Sequence, residues 1–258
     1  MSQYSFMIDN MVWSFSRINS FNVCPYEWYL QYIEGLQGEN NFYAEFGTYC
    51  HKILEKYEKD ELGIFDLADY FVDHFDEEIK SNVSNPEKYI ELGKSYFENI
   101  DLDLGNYEVL GIEKKCDFEL EGRKFTGFID LLLKDKETGE IVLIDHKSSK
   151  YPLGKRGGVL KSEAEKFDQY KKQLYIYCTQ VYNEYGVFPT KIGWNYFKEQ
   201  KWLVLDFLKE EYDEAIKWAL KTIVEINDTE YFAPNPSFYY CANLCRFRNS
   251  YCEFKNYG

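Results

Sequence analysis

The sequence of 258 residues lacks the features that would divide the chain or attach it to a membrane. It has no Gly/Ser/Pro-rich linker, internal repeat or low-complexity stretch, so we expect one compact domain with appendages. The first residues, MSQYSFMIDNMVWSF, show no basic flank before a long apolar core, which argues against a signal peptide or a membrane span. A Gly-x-x-x-x-Gly-Lys-Ser/Thr loop is also missing, which argues against a helicase motor. We expect a cytoplasmic protein in a reducing, intracellular compartment, with no membrane association.

Positive charge is scarce as well. The chain carries 30 Lys and Arg against 44 Asp and Glu, a net charge of −14, which would repel a nucleic-acid backbone at long range. The exception is the segment 147–161, KSSKYPLGKRGGVLK, which contains five basic residues and no acid. Its Gly and Pro content predicts a mobile loop. The hydrophobic content of 45% is enough to build a full core.

The segment 126–147, TGFIDLLLKDKETGEIVLIDHK, places acids at comparable positions of a predicted β-hairpin. Asp130 follows one apolar run and Asp145 the next, and Lys147 lies two residues further on. Alternate residues of a strand share a face, so Asp145 and Lys147 should point into the same cleft. Two carboxylates and an ammonium suit metal-assisted hydrolysis of a phosphodiester. Taken alone, however, an Asp-x-Lys triplet is more often the solvated end of a strand.

Two predicted helices carry further polar residues. The stretch FGTYCHKILEKYE has a helical pattern in which His51 and Glu55 share one face. A lone helical histidine is more often a packed or surface residue than a metal ligand. The stretch FDQYKKQLYIYCTQVY predicts an amphipathic helix that carries Gln173 and Tyr177 on adjacent turns.

The order of these motifs resembles the RecB-like branch of the PD-(D/E)XK nucleases over nearly the whole chain. The four motifs are Gly-x-x-x-His-x-x-Leu-Glu, Gly-x-x-Asp, Asp-x-Lys and Gln-x-x-x-Tyr. They fall on Gly47, His51, Leu54 and Glu55; on Gly127 and Asp130; on Asp145 and Lys147; and on Gln173 and Tyr177. One departure is that the second acid is Asp145, where many relatives carry Glu.

The resemblance implies an α/β fold, a restriction-endonuclease-like mixed sheet flanked by helices. We expect a helical N-terminal region at 1–106, a nuclease core at 107–226 and a cysteine-rich tail at 227–258. The patterns predict antiparallel strands at 107–120, 124–134 and 140–147, and a further pair at 191–197 and 202–207. The acidic segment 60–80 is expected to form a solvent-facing helical insertion.

The resemblance also implies a site for one or two Mg²⁺ or Mn²⁺ ions. Its ligands would be His51, Asp130, Asp145 and the backbone carbonyl of His146. No chemistry is assigned to the side chain of His146 or to His74.

Other residues would support the chemistry. Lys147 would position or help to deprotonate the nucleophile and offset phosphate charge, while Gln173 and Tyr177 would orient the site or contact DNA. Glu113, on the first strand, is either a carboxylate that supports the ligands or an ordinary exposed strand acid.

Four of the seven cysteines have a suggestive distribution. Cys24 lies near the N-terminus, and Cys241, Cys245 and Cys252 lie in the tail. In an intracellular chain such clustering favours metal binding over disulfides, and its spacing alone fits either zinc or an iron–sulfur cluster. The others, Cys50, Cys116 and Cys178, lie in apolar runs and should be small buried residues.

AddB-type and CRISPR-adaptation nucleases place one cysteine before the core and three after it, around a [4Fe–4S] cluster. The chain looks similar, including Ser16 and Arg17 upstream of Cys24, so the resemblance implies such a cluster, with Zn²⁺ as the alternative. It departs from the family by having three residues, instead of two, between Cys241 and Cys245. The cluster would be structural and would tie the two ends of the chain together.

We therefore expect a metal-dependent DNA exonuclease that acts on single strands or free ends. The alternatives are a structure-specific endonuclease and a non-catalytic DNA-binding scaffold, and the intact Asp-x-Lys motif weighs against the scaffold. Nucleic-acid contacts are expected from Arg17, Lys150, Lys155, Arg156 and Lys161, with Arg246, Arg248 and Lys255 in the tail. A helicase or an integrase could act as a partner.

Overall fold

The computed structural model describes residues 2–254, so Lys255 lies outside the described residues. The helices are α1 Ser5–Asp9, α2 Phe15–Val23, α3 Pro25–Tyr32, α4 Phe42–Glu58, α5 Leu67–Asp73, α6 Phe75–Glu78, α7 Pro86–Glu98, α8 Ala164–Tyr185, α9 Lys209–Asp228 and α10 Phe238–Asn243. The strands are β1 Tyr107–Leu120, β2 Arg123–Asp135, β3 Ile141–His146, β4 Lys191–Tyr196 and β5 Lys201–Asp206, and a 3₁₀ turn spans Phe197–Glu199.

The strands form one mixed sheet in the order β1-β2-β3-β4-β5. Neighbours are antiparallel except β3 and β4, which run parallel and are joined by the crossover helix α8. The hairpin turns use Gly122 and Gly139 at φ +76° and +74°, a backbone conformation that glycine adopts without steric cost. The predicted mixed α/β sheet and its strand pairing are confirmed.

The main core lies on the face of the sheet that α8 and α9 cover. Leu143 and Ile192, paired on neighbouring strands, share this core with Leu174 of α8 and Ile223 of α9, and all four are almost fully buried. Each such side chain contributes about 1.5–3 kcal/mol by leaving water. The same core includes residues of α2 and α3, so the N-terminal helices and the sheet share one interior.

A second core surrounds α4, and it corrects the prediction for the acidic segment 60–80. That segment is helical in part but is not a solvent-facing insertion. Its apolar residues Leu67, Phe71 and Phe75 are buried against α4 and α7, while its acids line the outer face. The amphipathic pattern was present in the sequence, and its apolar side supports the helix that carries His51.

The tail packs against the segment that leads into α4. Glu39 donates its backbone N–H to the carbonyl of Arg246 at 2.8 Å. Asn41, the N-cap residue of α4, accepts from the N–H of Ala44 and donates its amide to the carbonyl of Leu244 at 3.3 Å. A side chain on Gly38 would meet the backbone of Arg246, with its Cβ only 2.8 Å from that carbonyl oxygen. Glycine is therefore required where the tail crosses this segment.

The loop after β3 makes contacts within itself and with the 3₁₀ turn that follows β4. Leu153 and Val159 form an antiparallel bridge, and Tyr151 donates its N–H to the carboxylate of Glu199 at 2.9 Å. None of the helices in residues 2–254 combines the length and apolar composition needed to cross a membrane.

Candidate active site

His51 reaches the site from the buried side of α4. Its neighbours Cys50, Ile53 and Leu54 are completely buried, and these contacts fix the rotation of the helix about its axis. Gly47, one turn earlier, lies close to the turn after β3, where an added Cβ would be 3.4 Å from Oγ of Ser148. The glycine of the His-containing motif thus allows α4 to approach β3.

Asp130 and Glu113 face each other on neighbouring strands. The register pairs Ile112 with Leu131 and Lys114 with Ile129, which leaves Glu113 opposite Asp130. A register shift between 109 and 111 precedes this point, and Glu113 itself has a φ of +45°. A residue with a side chain is strained in this left-handed region, and strain of this kind is concentrated at functional sites.

The side chains of His51, Glu113 and Asp130 form a group that could hold a metal ion. One ligand atom from each lies within 4.8 Å of the other two, and His51 Nδ1 is 3.5 Å from Asp130 Oδ2. Burial, reinforced by Asp130 and Glu55, raises the pKa of Glu113 to about 7. Burial lowers the pKa of His51 to about 4, so its imidazole is neutral and able to bind a cation. Two carboxylates and an imidazole are a donor set that suits Mn²⁺ or Mg²⁺.

Asp145 and Lys147 lie beside this group at the end of β3. Lys147 Nζ is 2.5 Å from Asp145 Oδ2, donates to Gln173 Oε1 at 3.3 Å, and lies 4.3 Å from the centre of the Tyr170 ring. Burial raises the pKa of Asp145, and the Lys147 ammonium opposes that effect. Burial alone would lower the pKa of Lys147, but Asp145 and Tyr170 more than compensate, so the ammonium stays charged.

Tyr177 explains the glycine of the Gly-x-x-Asp motif. Its ring lies on the backbone of Gly127, where an added Cβ would be 2.6 Å from ring atoms. Tyr177 therefore packs α8 directly against β2, three residues before Asp130. The structure thus brings together the residues predicted from all four motifs.

Sequence reasoning missed four polar side chains that surround the site, and three of them form one network. His146 donates its backbone N–H to Asp130 Oδ2 at 2.7 Å, and its buried ring contacts Glu58 Oε1 at 2.7 Å and Asn195 Nδ2 at 3.2 Å. Burial would lower the pKa of His146, but the charge and hydrogen bond of Glu58 raise it. The fourth is Tyr170, whose ring faces the Lys147 ammonium. The position of Glu58 near the site could have been predicted, because it lies seven residues after His51 and so on the same helix face.

The described basic residues predicted to contact nucleic acid fall into three places, and those of the tail are Arg246, which is exposed, and Arg248, which is half-buried. Those of the loop after β3 are exposed: Lys150, Lys155, Arg156 and Lys161. Arg17 instead lies in α2, with its guanidinium 4.5 Å from the centre of the Tyr32 ring.

The cysteines also fall into two sets. Cys50, Cys116 and Cys178 are completely buried, as predicted. The other four line one cavity, together with Glu27 and Tyr240: Cys24, Cys241, Cys245 and Cys252. Within residues 2–254, no three of these four sulfur atoms lie within 4.8 Å of one another.

Comparison with known proteins places the chain in a family. Residues 12–257 match the sequence model of the PD-(D/E)XK nuclease superfamily, whereas no curated protein matches the chain. Among solved structures, it resembles a protein from Eubacterium rectale that is named, provisionally, as an exonuclease. The two share 13% identity, the match covers 90% of this chain and 86% of the other, and the TM-score is 0.54, which shows a common fold. Because the family match spans nearly the whole sequence, the chain belongs to the PD-(D/E)XK nuclease superfamily.

Proposed function

We propose that the protein is a metal-dependent deoxyribonuclease that degrades DNA from ends or along single strands. The observation that carries this proposal is the meeting of His51, Glu113 and Asp130 directly beside the Asp145–Lys147 pair. This is the end of the sheet where a superfamily nuclease would bind its scissile phosphate.

Each ligand residue has a role that follows from its contacts. His51 and Asp130 would bind the ion, with the backbone carbonyl of His146 and the carboxylate of Asp145. Glu113 joins this proposed set because its carboxylate faces the same space as Asp130. When bound, Mg²⁺ or Mn²⁺ would lower the pKa of water and stabilise charge on the phosphate.

Lys147 is held so that its ammonium faces the same site. An ammonium has three N–H donors, of which one meets Asp145 and one meets Gln173. The third would donate to the attacking water or to a phosphate oxygen. Gln173 and the ring of Tyr170 keep the side chain from turning away, while Tyr177 holds α8 against β2.

The exposed basic loop supports DNA as the substrate. Lys150, Lys155, Arg156 and Lys161 belong to the loop that follows β3, the strand that carries Asp145. Their charges would offset the repulsion between DNA and a protein of net charge −14. Arg17 is a further proposed contact. A helicase or integrase partner remains a prediction.

The four cysteines that line one cavity could each bind one iron of a [4Fe–4S] cluster, and the same donors also suit a zinc ion. Burial raises the pKa of the Cys245 thiol to about 11, so a bound cation would be needed to keep it as thiolate. We propose that these cysteines hold a structural [4Fe–4S] cluster.

The proposal is tested by incubating end-labelled linear single-stranded DNA with Mn²⁺ and anaerobically purified protein. We expect the wild type to degrade the DNA and Lys147→Ala to be inactive. A matched circular strand distinguishes the modes of cleavage, because an exonuclease leaves it intact and an endonuclease opens it. A folded, metal-loaded wild type that cuts neither substrate would refute the proposal and favour a DNA-binding scaffold.

A further inference from the structure

Glu58, His146 and Asn195 form a buried polar network that the chemistry proposed above does not use. They come from α4, β3 and β4, and each side chain is at most 3% exposed. Asn195 can only donate from Nδ2, so His146 Nδ1 accepts and His146 Nε2 carries the hydrogen donated to Glu58. Both ring nitrogens are therefore engaged, and the ring cannot rotate without breaking a bond.

Stability alone does not account for such a network. Removing a carboxylate and an imidazole from water is costly, and apolar residues of similar volume at the same positions are often equally stable or better. The neighbouring strand positions Leu143 and Ile144 show that this part of β3 accepts apolar side chains. Apolar contacts do not fix the orientation of the packed elements, whereas hydrogen bonds restrict both the angle and the distance between donor and acceptor.

The network connects the elements that carry the proposed metal ligands. Glu58 lies two turns after His51 on the same face of α4. The backbone N–H of His146 donates to Asp130, and the next backbone N–H, that of Lys147, donates to the carbonyl of Asn195 at 2.8 Å. The side chain of His146 thus joins α4 to β3 and β4 at the residue whose backbone contacts Asp130.

We propose that Glu58, His146 and Asn195 are positioning residues that set the separation of α4 from β3, so that His51 and Asp130 can bind one divalent ion together. This inference rests on the metal site of the proposed function. Ligands must be held to within about 0.5 Å for a metal site to form well. Loss of the outer hydrogen-bond partners of metal ligands typically weakens metal affinity about 10–100-fold.

The experiment measures Mn²⁺ binding to the purified protein by calorimetry, with thermal unfolding of each variant in parallel. The variants are Glu58→Leu, His146→Leu, the Leu/Leu double variant and the conservative Glu58→Gln. Each single leucine leaves a buried polar partner unpaired, so both stability and Mn²⁺ affinity should fall. In the double variant the two leucines pack together and only Asn195 is left unpaired, so stability should recover in part while the Mn²⁺ Kd stays at least about tenfold above wild type. Glu58→Gln keeps an acceptor for the ring and should weaken binding less than Glu58→Leu.

Recovery of both properties in the double variant, with a Kd within twofold of wild type, would show a structural role only and overturn the inference. Should the double variant not fold, Asn195→Ala gives the answer, because it keeps the Glu58–His146 pair and removes one hydrogen bond. We expect its Mn²⁺ Kd to rise at least threefold, and an unchanged Kd would overturn the inference.

Failure of the proposed function is distinguishable from failure of this inference. A wild type that binds Mn²⁺ but cuts no DNA refutes nuclease activity and leaves the network effect measurable. If the wild type binds no Mn²⁺, the proposed metal site is wrong and the inference is overturned with it.

Discussion

Replacing Glu113 by glutamine should stabilise the metal-free protein above pH 7 and weaken its binding of a divalent ion. Glutamine has the same shape and the same backbone requirement, so the substitution removes only the charge. In the metal-free protein that charge is half-buried and faces the carboxylate of Asp130. In the metal-bound protein the same charge would be a ligand.

The size of the effect follows from the pKa of Glu113, which burial, Asp130 and Glu55 raise from 4.5 to about 7. Below pH 4.5 the group is protonated in both the folded and the unfolded chain and has no effect. The destabilisation grows between pH 4.5 and pH 7 and is complete above pH 7. That pKa difference corresponds to about 3 kcal/mol, which solvent screening of a half-buried group reduces to about 1–2 kcal/mol.

The assay is thermal unfolding in EDTA at pH 4.5 and pH 8. We expect Glu113→Gln to melt about 2–6 °C above wild type at pH 8 and at the same temperature at pH 4.5. Saturating Mn²⁺ should reverse the order, because it stabilises the protein that binds it more tightly. The exposed Glu119 on the same strand is the matched control, and Glu119→Gln should change stability by less than about 0.5 kcal/mol. Equal melting of Glu113→Gln and wild type at pH 8 would refute the reasoning.

Three other substitutions test separate parts of the structure. Gly127→Ala places a Cβ against the ring of Tyr177 and should cost about 1–3 kcal/mol by overpacking, measured by thermal unfolding; a wild-type melting temperature would contradict the close contact. Tyr170→Leu removes the aromatic face beside the Lys147 ammonium and should slow single-turnover cleavage about tenfold, whereas Tyr170→Phe should retain the rate; equal rates for the two variants would exclude a cation–π role. Cys24→Ser should abolish iron incorporation and the visible absorption of the anaerobically purified protein, and stoichiometric zinc in the wild type would exclude the cluster.

Much of the fold could be predicted because local patterns determine it. Alternating apolar residues, with Gly122 and Gly139 at the turns, predicted β1–β3 to within one or two residues. The order of four short motifs then predicted that His51, on a distant helix, would meet Asp130. Local patterns of this kind can be recognised in a sequence because the spacing of apolar residues and the choice of turn residues depend only on neighbouring positions.

The rest of the site depends on backbone detail and on long-range packing. Glu113 lies opposite Asp130 in the register that continues unbroken from the turn at Glu121-Gly122, but its left-handed backbone could not be predicted from the sequence. Glu58 could be placed on the face of His51, but its partner His146 is 88 residues away. A glutamate is rarely buried without a partner, but residue spacing in the sequence does not identify the partner of Glu58.

The crossing of the tail over Gly38 has a consequence for synthesis of the chain. Residues 244–246 leave the ribosome some two hundred residues after the segment they hold, and contacts between such distant segments form late in folding. Until then the N-cap of α4 lacks its bond to Leu244, and the start of the helix that carries His51 is unsupported. We expect a nascent chain to bind a divalent ion weakly at His51 until residues 244–246 have been made and have packed against this segment.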